Sequence, residues 1–279
     1  MIKKFKYTSL NPGKTILLLG AIHGNEVCWP QALCDIMHEI DIGNIELKSG
    51  KIIFVPVCNP LAFKQGKRFI DVNLNRIFKK HSDPILYEEK LANILCEYFD
   101  GVDVLLDIHS ISSEGTPFAF QDYYDSETDT YMKILWVQDI ITGWPEMYQG
   151  TSDMGTVEYG NTKGVIWTVL ECGNHNSTNA TLVAKKAILN TLKHFGIIDG
   201  TVEVDTHIQI TEAQFFFKKT KPGTLAKTWK HLDPVQKWEL IAVYDDGEEV
   251  IAEQDGYILL PFAGTPIWAE WFYFWKKKI

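Results

Sequence analysis

Three segments of this chain, Ile52 to Val57 (IIFVPV), Val102 to Ile108 (VDVLLDI) and Val165 to Leu170 (VIWTVL), are short and apolar almost without interruption. A strand with one wet face alternates apolar and polar residues, so runs like these predict strands covered on both faces, as in a largely parallel sheet. Between them lie stretches of helical spacing. One runs from Glu26 to Ile40, a second opens at Asp83-Pro84 with Pro at the first helical position and continues to about Phe99, and a third spans Ala180 to Phe195 and stops at Gly196. This alternation predicts an α/β layer structure. With 279 residues, 46% of them hydrophobic, the chain can bury one substantial core and a smaller second one.

The pattern changes after about Gly200. VEVDTHIQI, FFFKK, ELIAVY and YILLPF are β-like runs separated by the turn signals KPG, DDG and QDG, and no long helical stretch occurs among them. The chain is therefore expected to comprise an α/β domain over residues 1–200 and a small all-β domain over residues 201–279. The strongly aromatic closing segment PIWAEWFYFWKKKI is read as a core-filling last strand and interface anchor, with a homo-oligomer left open.

The first β-type run, in TILLLGAIHGNE (Thr15 to Glu26), stops at Gly20 and delivers His23 and Glu26 onto the turn entering the next helix. A second run ends in Asp107-Ile108-His109. His23, Glu26 and His109 all fall just past the expected carboxyl ends of strands, where open α/β sheets place their ligand sites. Two imidazoles and one carboxylate are the ligand set of zinc sites that keep a fourth position open for water. Asp107, two residues before His109 on an extended chain, faces the same side and is a candidate outer partner of the imidazole, a buried structural Asp being the equal alternative. Glu171 closes the run VIWTVL, and a lone acid after six largely apolar residues is expected to point into the site as general base and acid. The segment GKRFIDVNLNRIF, Gly66 to Phe78, concentrates Arg68, Asn75 and Arg76 in a chain of net charge −9. Arginine suits both the bidentate grip on a carboxylate and the stabilisation of a developing oxyanion, whereas a solvated basic loop is the ordinary alternative.

The acidic balance argues against nucleic acid or an anionic membrane as the main partner, since both call for a basic face. No run approaches the roughly 20 apolar residues of a membrane span, and no apolar signal core follows the N-terminal lysines, so a cytoplasmic location is expected. Cys28, Cys34, Cys58, Cys96 and Cys172 form no CxxC pair and read as buried reduced thiols. A nucleophilic Cys172-His175 couple is the weaker alternative, because no third group to orient the His is evident nearby.

Taken together, these residues resemble the succinylglutamate desuccinylase and aspartoacylase family, which shares the zinc carboxypeptidase fold. The resemblance rests on GAIHGNE at Gly20 to Glu26, NP at Asn59-Pro60, RFIDVNLNR at Arg68 to Arg76, DIH at Asp107 to His109 and GVIWTVLECG at Gly164 to Gly173, ordered across roughly the first 175 residues. It implies a zinc carboxypeptidase-like α/β/α sandwich with a mixed, largely parallel sheet, followed by a small β domain beside the mouth of the active site. It also implies one zinc per chain on His23, Glu26 and His109, Glu171 as general base and acid, Arg68 polarising the scissile carbonyl, and Asn75 with Arg76 holding a substrate carboxylate. The implied activity is zinc-dependent hydrolysis of a non-peptide amide, removing the acyl group from an N-acyl amino acid or similar small carboxylate. Departures lie at Asn73, where family members often carry Asp, and at Asn161, where aspartoacylase has a substrate-binding Arg; Tyr257 and Tyr273 are the available counterparts of its C-terminal substrate Tyr. The alternatives are a metallocarboxypeptidase acting on peptides and a non-catalytic metal- or ligand-binding protein on the same fold.

Overall fold

The computed structural model describes residues 1–122, 126–148, 153–202 and 207–277. Its first part runs β1 (Phe5–Thr8), β2 (Thr15–Gly20), α1 (Cys28–Asp41), β3 (Lys51–Val55), α2 (Pro60–Gln65), α3 (Tyr87–Cys96), β4 (Val104–Ile111), β5 (Phe118–Phe120), α4 (Ser126–Lys133), β6 (Asp139–Thr142), α5 (Trp144–Met147), α6 (Thr156–Thr162), β7 (Ile166–Asn174) and α7 (Thr178–His194). The second part is all β: β8 (Gln209–Lys218), β9 (Gly223–Leu225), β10 (Asp233–Val235), β11 (Leu240–Tyr244), β12 (Glu249–Ile251), β13 (Gly256–Leu259) and β14 (Glu270–Lys277). One mixed sheet takes the order β1-β3-β2-β4-β7-β5-β6-β8-β14-β13-β10, and a small antiparallel sheet takes the order β12-β11-β9. The centre, β3-β2-β4-β7, is parallel throughout.

The continuous apolar runs have the predicted cause. In β2, Ile16 and Leu18 join the core covered by Ala32, Leu33 and Ile36 of α1 and Ala184 and Ile188 of α7. Leu17 and Leu19 enter the opposite core, with Leu91 and Leu95 of α3. Both faces of the strand are thus dry, and each such side chain contributes on the order of 1.5–3 kcal/mol by leaving water. The expected α/β/α sandwich is observed.

Several boundaries differ from the expected ones. Glu26 stays in the turn before α1, which starts at Cys28. α3 starts at Tyr87 rather than at Asp83-Pro84, because Glu89 Oε2 accepts the backbone N–H groups of Ile85 (2.8 Å) and Leu86 (2.9 Å) and so closes the helix end there. α7 begins at Thr178, capped by Ser177. β4 and β7 extend to Ile111 and Asn174, so His109 and Glu171 lie inside strands, directly opposite each other, rather than beyond them. The apolar runs stop earlier than the strands do because His109 and Glu171 face a cavity instead of the core.

Parallel pairing of β6 with β8 carries the main sheet into the C-terminal strands. β14 then joins two cores: Tyr273 and Trp275 pack with the central one, Phe272 and Phe274 with a C-terminal one that includes Trp229, Ile241 and Ile258. In VEVDTHIQI, residues 203–206 lie outside the described residues, and Gln209 opens β8. We propose a boundary near residue 200, where helices cease and antiparallel pairing takes over. Among the described residues no helix is long and apolar enough to cross a membrane.

Candidate metal centre and active-site cavity

Past the end of β2 the chain turns sharply, with Ala21 at φ 48°. Gly24 in this turn lies against α2, so close that a Cβ would stand 2.2 Å from the carbonyl carbon of Ala62. Only glycine permits that approach, and it brings His23 and Glu26 over the sheet beside His109. All three are buried, at 3%, 1% and 2% exposure. His23 Nδ1 is 2.7 Å from Glu26 Oε1 and His109 Nδ1 is 3.1 Å from Glu26 Oε2. The three candidate ligand atoms lie within 4.8 Å of one another.

Hydrogen bonding identifies the nitrogen of His23 that is available to a metal. Asn73 Oδ1 accepts the backbone N–H of Asn75 at 3.0 Å, which fixes the orientation of its amide. The same oxygen is 3.1 Å from His23 Nε2, an acceptor for the ring proton that leaves Nδ1 to a metal. Nδ1 and the Glu26 carboxylate can then bind one cation together. Burial first, and Arg68 second, push the pKa of His23 down to about 4, so the ring is neutral near pH 7. Two imidazole nitrogens and a carboxylate fit zinc, with a coordination position left over.

Burial opposes charging of His109, but Asp107 and Glu26 outweigh it and raise its pKa well above the usual value. His109 Nε2 lies 3.0 Å from Asp107 Oδ2, a close charge contact without aligned hydrogen-bond geometry. Asp107 thus stands beside the imidazole, on the side its spacing predicts, while its Oδ2 accepts the Thr156 hydroxyl.

Glu171 is 9% exposed and lines the same cavity, and its Oε2 has no hydrogen-bond partner among the described residues. Burial, reinforced by Glu26 and Asp107, pushes its carboxyl up to about 8 against the opposing pull of His109 and Arg68. A bound cation would draw it back down. Arg68 reaches in from the cavity edge with its side chain 44% exposed, one guanidinium nitrogen 3.4 Å from Glu26 Oε1. The loop behind it is held by Glu88, whose buried carboxylate accepts the backbone N–H groups of Ile70 (2.7 Å), Asp71 (3.0 Å) and Val72 (3.2 Å) and the side-chain amide of Asn59 (3.0 Å). Sequence reasoning missed Glu88, although a signal was there: with Leu91, Ala92 and Leu95 it falls on the apolar stripe of α3, a place where a charge requires a buried partner.

Asn75 and Arg76 also line the cavity. Asn75 Oδ1 accepts the N–H of Thr156 at 3.0 Å, opening α6. Arg76 donates from Nη1 to the backbone oxygen of Asn75 (2.9 Å) and from Nη2 to the hydroxyl of Tyr148 (3.1 Å), and its Nε stands 3.8 Å from Glu270 Oε1. Glu270 and Tyr148 were not assigned to this cluster from sequence, since they sit 194 and 72 positions away along the chain. Of the two tyrosines the family resemblance made available, Tyr273 lines the cavity and Tyr257 is not among its lining residues. The cavity measures about 530 Å³, and Leu260, Phe262 and Trp268 from the loop between β13 and β14 bound it. Cys172 packs into the core on the opposite face of β7 while Glu171 and His175 face the cavity, which removes the Cys172-His175 alternative.

The succinylglutamate desuccinylase/aspartoacylase catalytic-domain model matches residues 12–195. The N-alpha-acetyl-L-2,4-diaminobutyric acid deacetylase of Halomonas elongata is 26% identical over 272 residues, covering 88% of this chain and 77% of that one. A probable aspartoacylase of Prochlorococcus marinus is 34% identical over 112 residues, 37% of this chain and 36% of its own length. A crystal structure of a succinylglutamate desuccinylase/aspartoacylase from Rhodobacter sphaeroides superposes with a TM-score of 0.80 at 18% identity, covering 100% of this chain and 89% of that one. The family match spans well over half of the chain and includes all the candidate ligands and Glu171: the chain belongs to the succinylglutamate desuccinylase/aspartoacylase family.

Proposed function

We propose that this protein is a zinc-dependent deacylase that hydrolyses the amide bond of a small N-acyl amino acid. The observation that carries the reading is the convergence of a three-ligand cluster, His23, Glu26 and His109, with a buried carboxylate, Glu171, in one cavity. Zinc held there would supply a Lewis acid and a nucleophile at neutral pH. Glu171, buried in the cavity and ionised once a bound cation lowers its pKa, takes a proton from the attacking water and returns it to the departing nitrogen. Arg68, half exposed at the cavity edge, is free to swing onto the carbonyl oxygen as negative charge develops. Arg76, with the Asn75 side-chain amide beside it, anchors the substrate carboxylate. A cavity of about 530 Å³ bounded by C-terminal residues suits a small molecule, and relatives named as deacetylase and aspartoacylase act on substrates of that class.

The test is metal analysis with a hydrolysis screen of the zinc-loaded protein against N-acetyl, N-succinyl and other N-acyl amino acids, with C-terminal dipeptides alongside. About one zinc per chain is expected, lost in His23→Ala and His109→Ala, with release of free amino acid from the N-acyl group only. Cleavage of the dipeptides alone would favour a carboxypeptidase, and no turnover of either set would favour a non-catalytic binding protein.

A further inference from the structure

Past Glu171 the end of β7 is irregular. His109 stands opposite Glu171 but Ile111 stands opposite Asn174, so β7 carries one extra residue there, with Gly173 at φ 88°. Such bulges bend a strand and re-aim the side chains that follow. Here His175 comes to the cavity wall, its N–H bonded to the backbone oxygen of Ile111 at 3.0 Å. Asn174 ties the facing loop to the same corner, its side-chain amide donating to the backbone oxygens of Ser112 (3.0 Å) and Ser113 (3.2 Å).

This corner holds polar atoms that the chemistry described above does not use. His175 Nδ1, Ser113 Oγ and Asn25 Oδ1 are buried, and none of the three has a hydrogen-bond partner among the described residues. All three residues line the cavity. Buried polar side-chain atoms are mostly paired, so three orphans around one cavity mark a place where a ligand supplies the partners.

The position of the corner says which part of a ligand it meets. An N-acyl amino acid runs from its carboxylate through Cα and nitrogen to the carbonyl, and only then to the acyl chain. Its carboxylate is assigned to Arg76, whose electrostatic neighbours are Tyr148, Tyr273 and Glu270. The charged groups that act on His175 are instead Glu26, a candidate metal ligand, and Arg68, assigned to the carbonyl. Past the carbonyl, the chain therefore extends away from Arg76 and toward His175.

We propose that His175, with Ser113 and Asn25, forms a subsite for the acyl end of the substrate, and that the acyl group it takes ends in a hydrogen-bonding oxygen, a hydroxyl or a carboxylate. This rests on the deacylase reading above and narrows its acyl group. An imidazole nitrogen and a serine hydroxyl can each bond such an oxygen, whereas an alkyl end leaves them buried and unpaired.

The test compares acyl groups matched in size, each joined in turn to glutamate and to alanine: glycolyl with acetyl, 4-hydroxybutyryl with butyryl, and succinyl with 4-methylpentanoyl. In the zinc-loaded parent at least one polar-ended member should exceed its partner in kcat/KM by about tenfold or more, because a site built to bond a substrate oxygen discriminates against the analogue lacking it. The first two pairs report a hydroxyl end and the third a carboxylate end. His175→Phe keeps a ring of similar size but no nitrogen, and it should bring that ratio to within about threefold of unity; Ser113→Ala should lower it in the same direction. Ratios below about threefold for every pair in the parent would overturn the proposal. So would a parent ratio that persists in His175→Phe with native circular dichroism, since a merely structural residue would lower both members of a pair alike. If no N-acyl amino acid is hydrolysed, the deacylase reading fails, and calorimetric binding of the same six acyl groups then decides: tighter binding of a polar-ended member that is lost in His175→Phe supports the subsite, and its absence refutes it.

Discussion

Replacing Asn73 by Ala should weaken metal binding, although Asn73 is not a ligand. With metal on Nδ1, Asn73 Oδ1, 3.1 Å from Nε2, is the acceptor for the His23 ring proton. Without it, the buried proton finds its best acceptor on the other side of the ring, where Glu26 Oε1 lies 2.7 Å from Nδ1. The favoured tautomer then protonates the ligand atom, and the metal must displace that proton before it binds. Loss of such outer partners typically costs about 10- to 100-fold in metal affinity, or 1.4–2.8 kcal/mol. His23 is only 3% exposed, so packing still restrains the ring and places the expected loss near tenfold. Asn73→Asp keeps the acceptor and adds charge, as in family members with Asp at this position, and should match or exceed the parent. Zinc affinity measured by competition with a chelator checks both. An Ala variant that holds zinc within about threefold of the parent would refute the tautomer argument.

Three further outcomes are expected. Glu171→Gln should fold and bind zinc but lose a factor of about 10² to 10⁴ in kcat, because an amide cannot accept the water proton; steady-state kinetics with metal analysis checks it. Glu88→Gln should lower stability by about 3 kcal/mol in chemical denaturation, since an amide nitrogen would face backbone N–H donors of Asp71 and Val72 now bonded to Glu88 Oε2. Arg76→Lys should mainly raise KM for carboxylate substrates, an ammonium being unable to reproduce the planar fork, whereas Arg68→Lys should mainly lower kcat; equal changes in both would contradict the division of roles.

The α/β class, the two-sided burial of the central strands and the three-ligand cluster were legible in the chain itself. Apolar periodicity reports which faces are dry, and a His or Glu at the end of an apolar run stands out against its neighbours. Helix starts were less legible: Asp83-Pro84 looks like a cap, yet Glu89 captures the N–H groups of Ile85 and Leu86 and opens the helix three residues later. Strand ends were misread for a related reason, because His109 and Glu171 are polar residues inside strands, where local pattern says that burial has stopped. Only the tertiary structure decided the acceptors that face the two ring nitrogens of His23, the anchoring of the Arg68 loop by Glu88 and the meeting of Arg76 with Glu270. The last pair joins positions 194 residues apart, through pairing of β14 with β8 and of β8 with β6, a route along which no local propensity operates. Sequence thus determined which groups are available for catalysis, because ligand chemistry belongs to the residue type. Folding decided what surrounds them, because counter-ions, proton positions and cavity walls depend on contacts between distant segments.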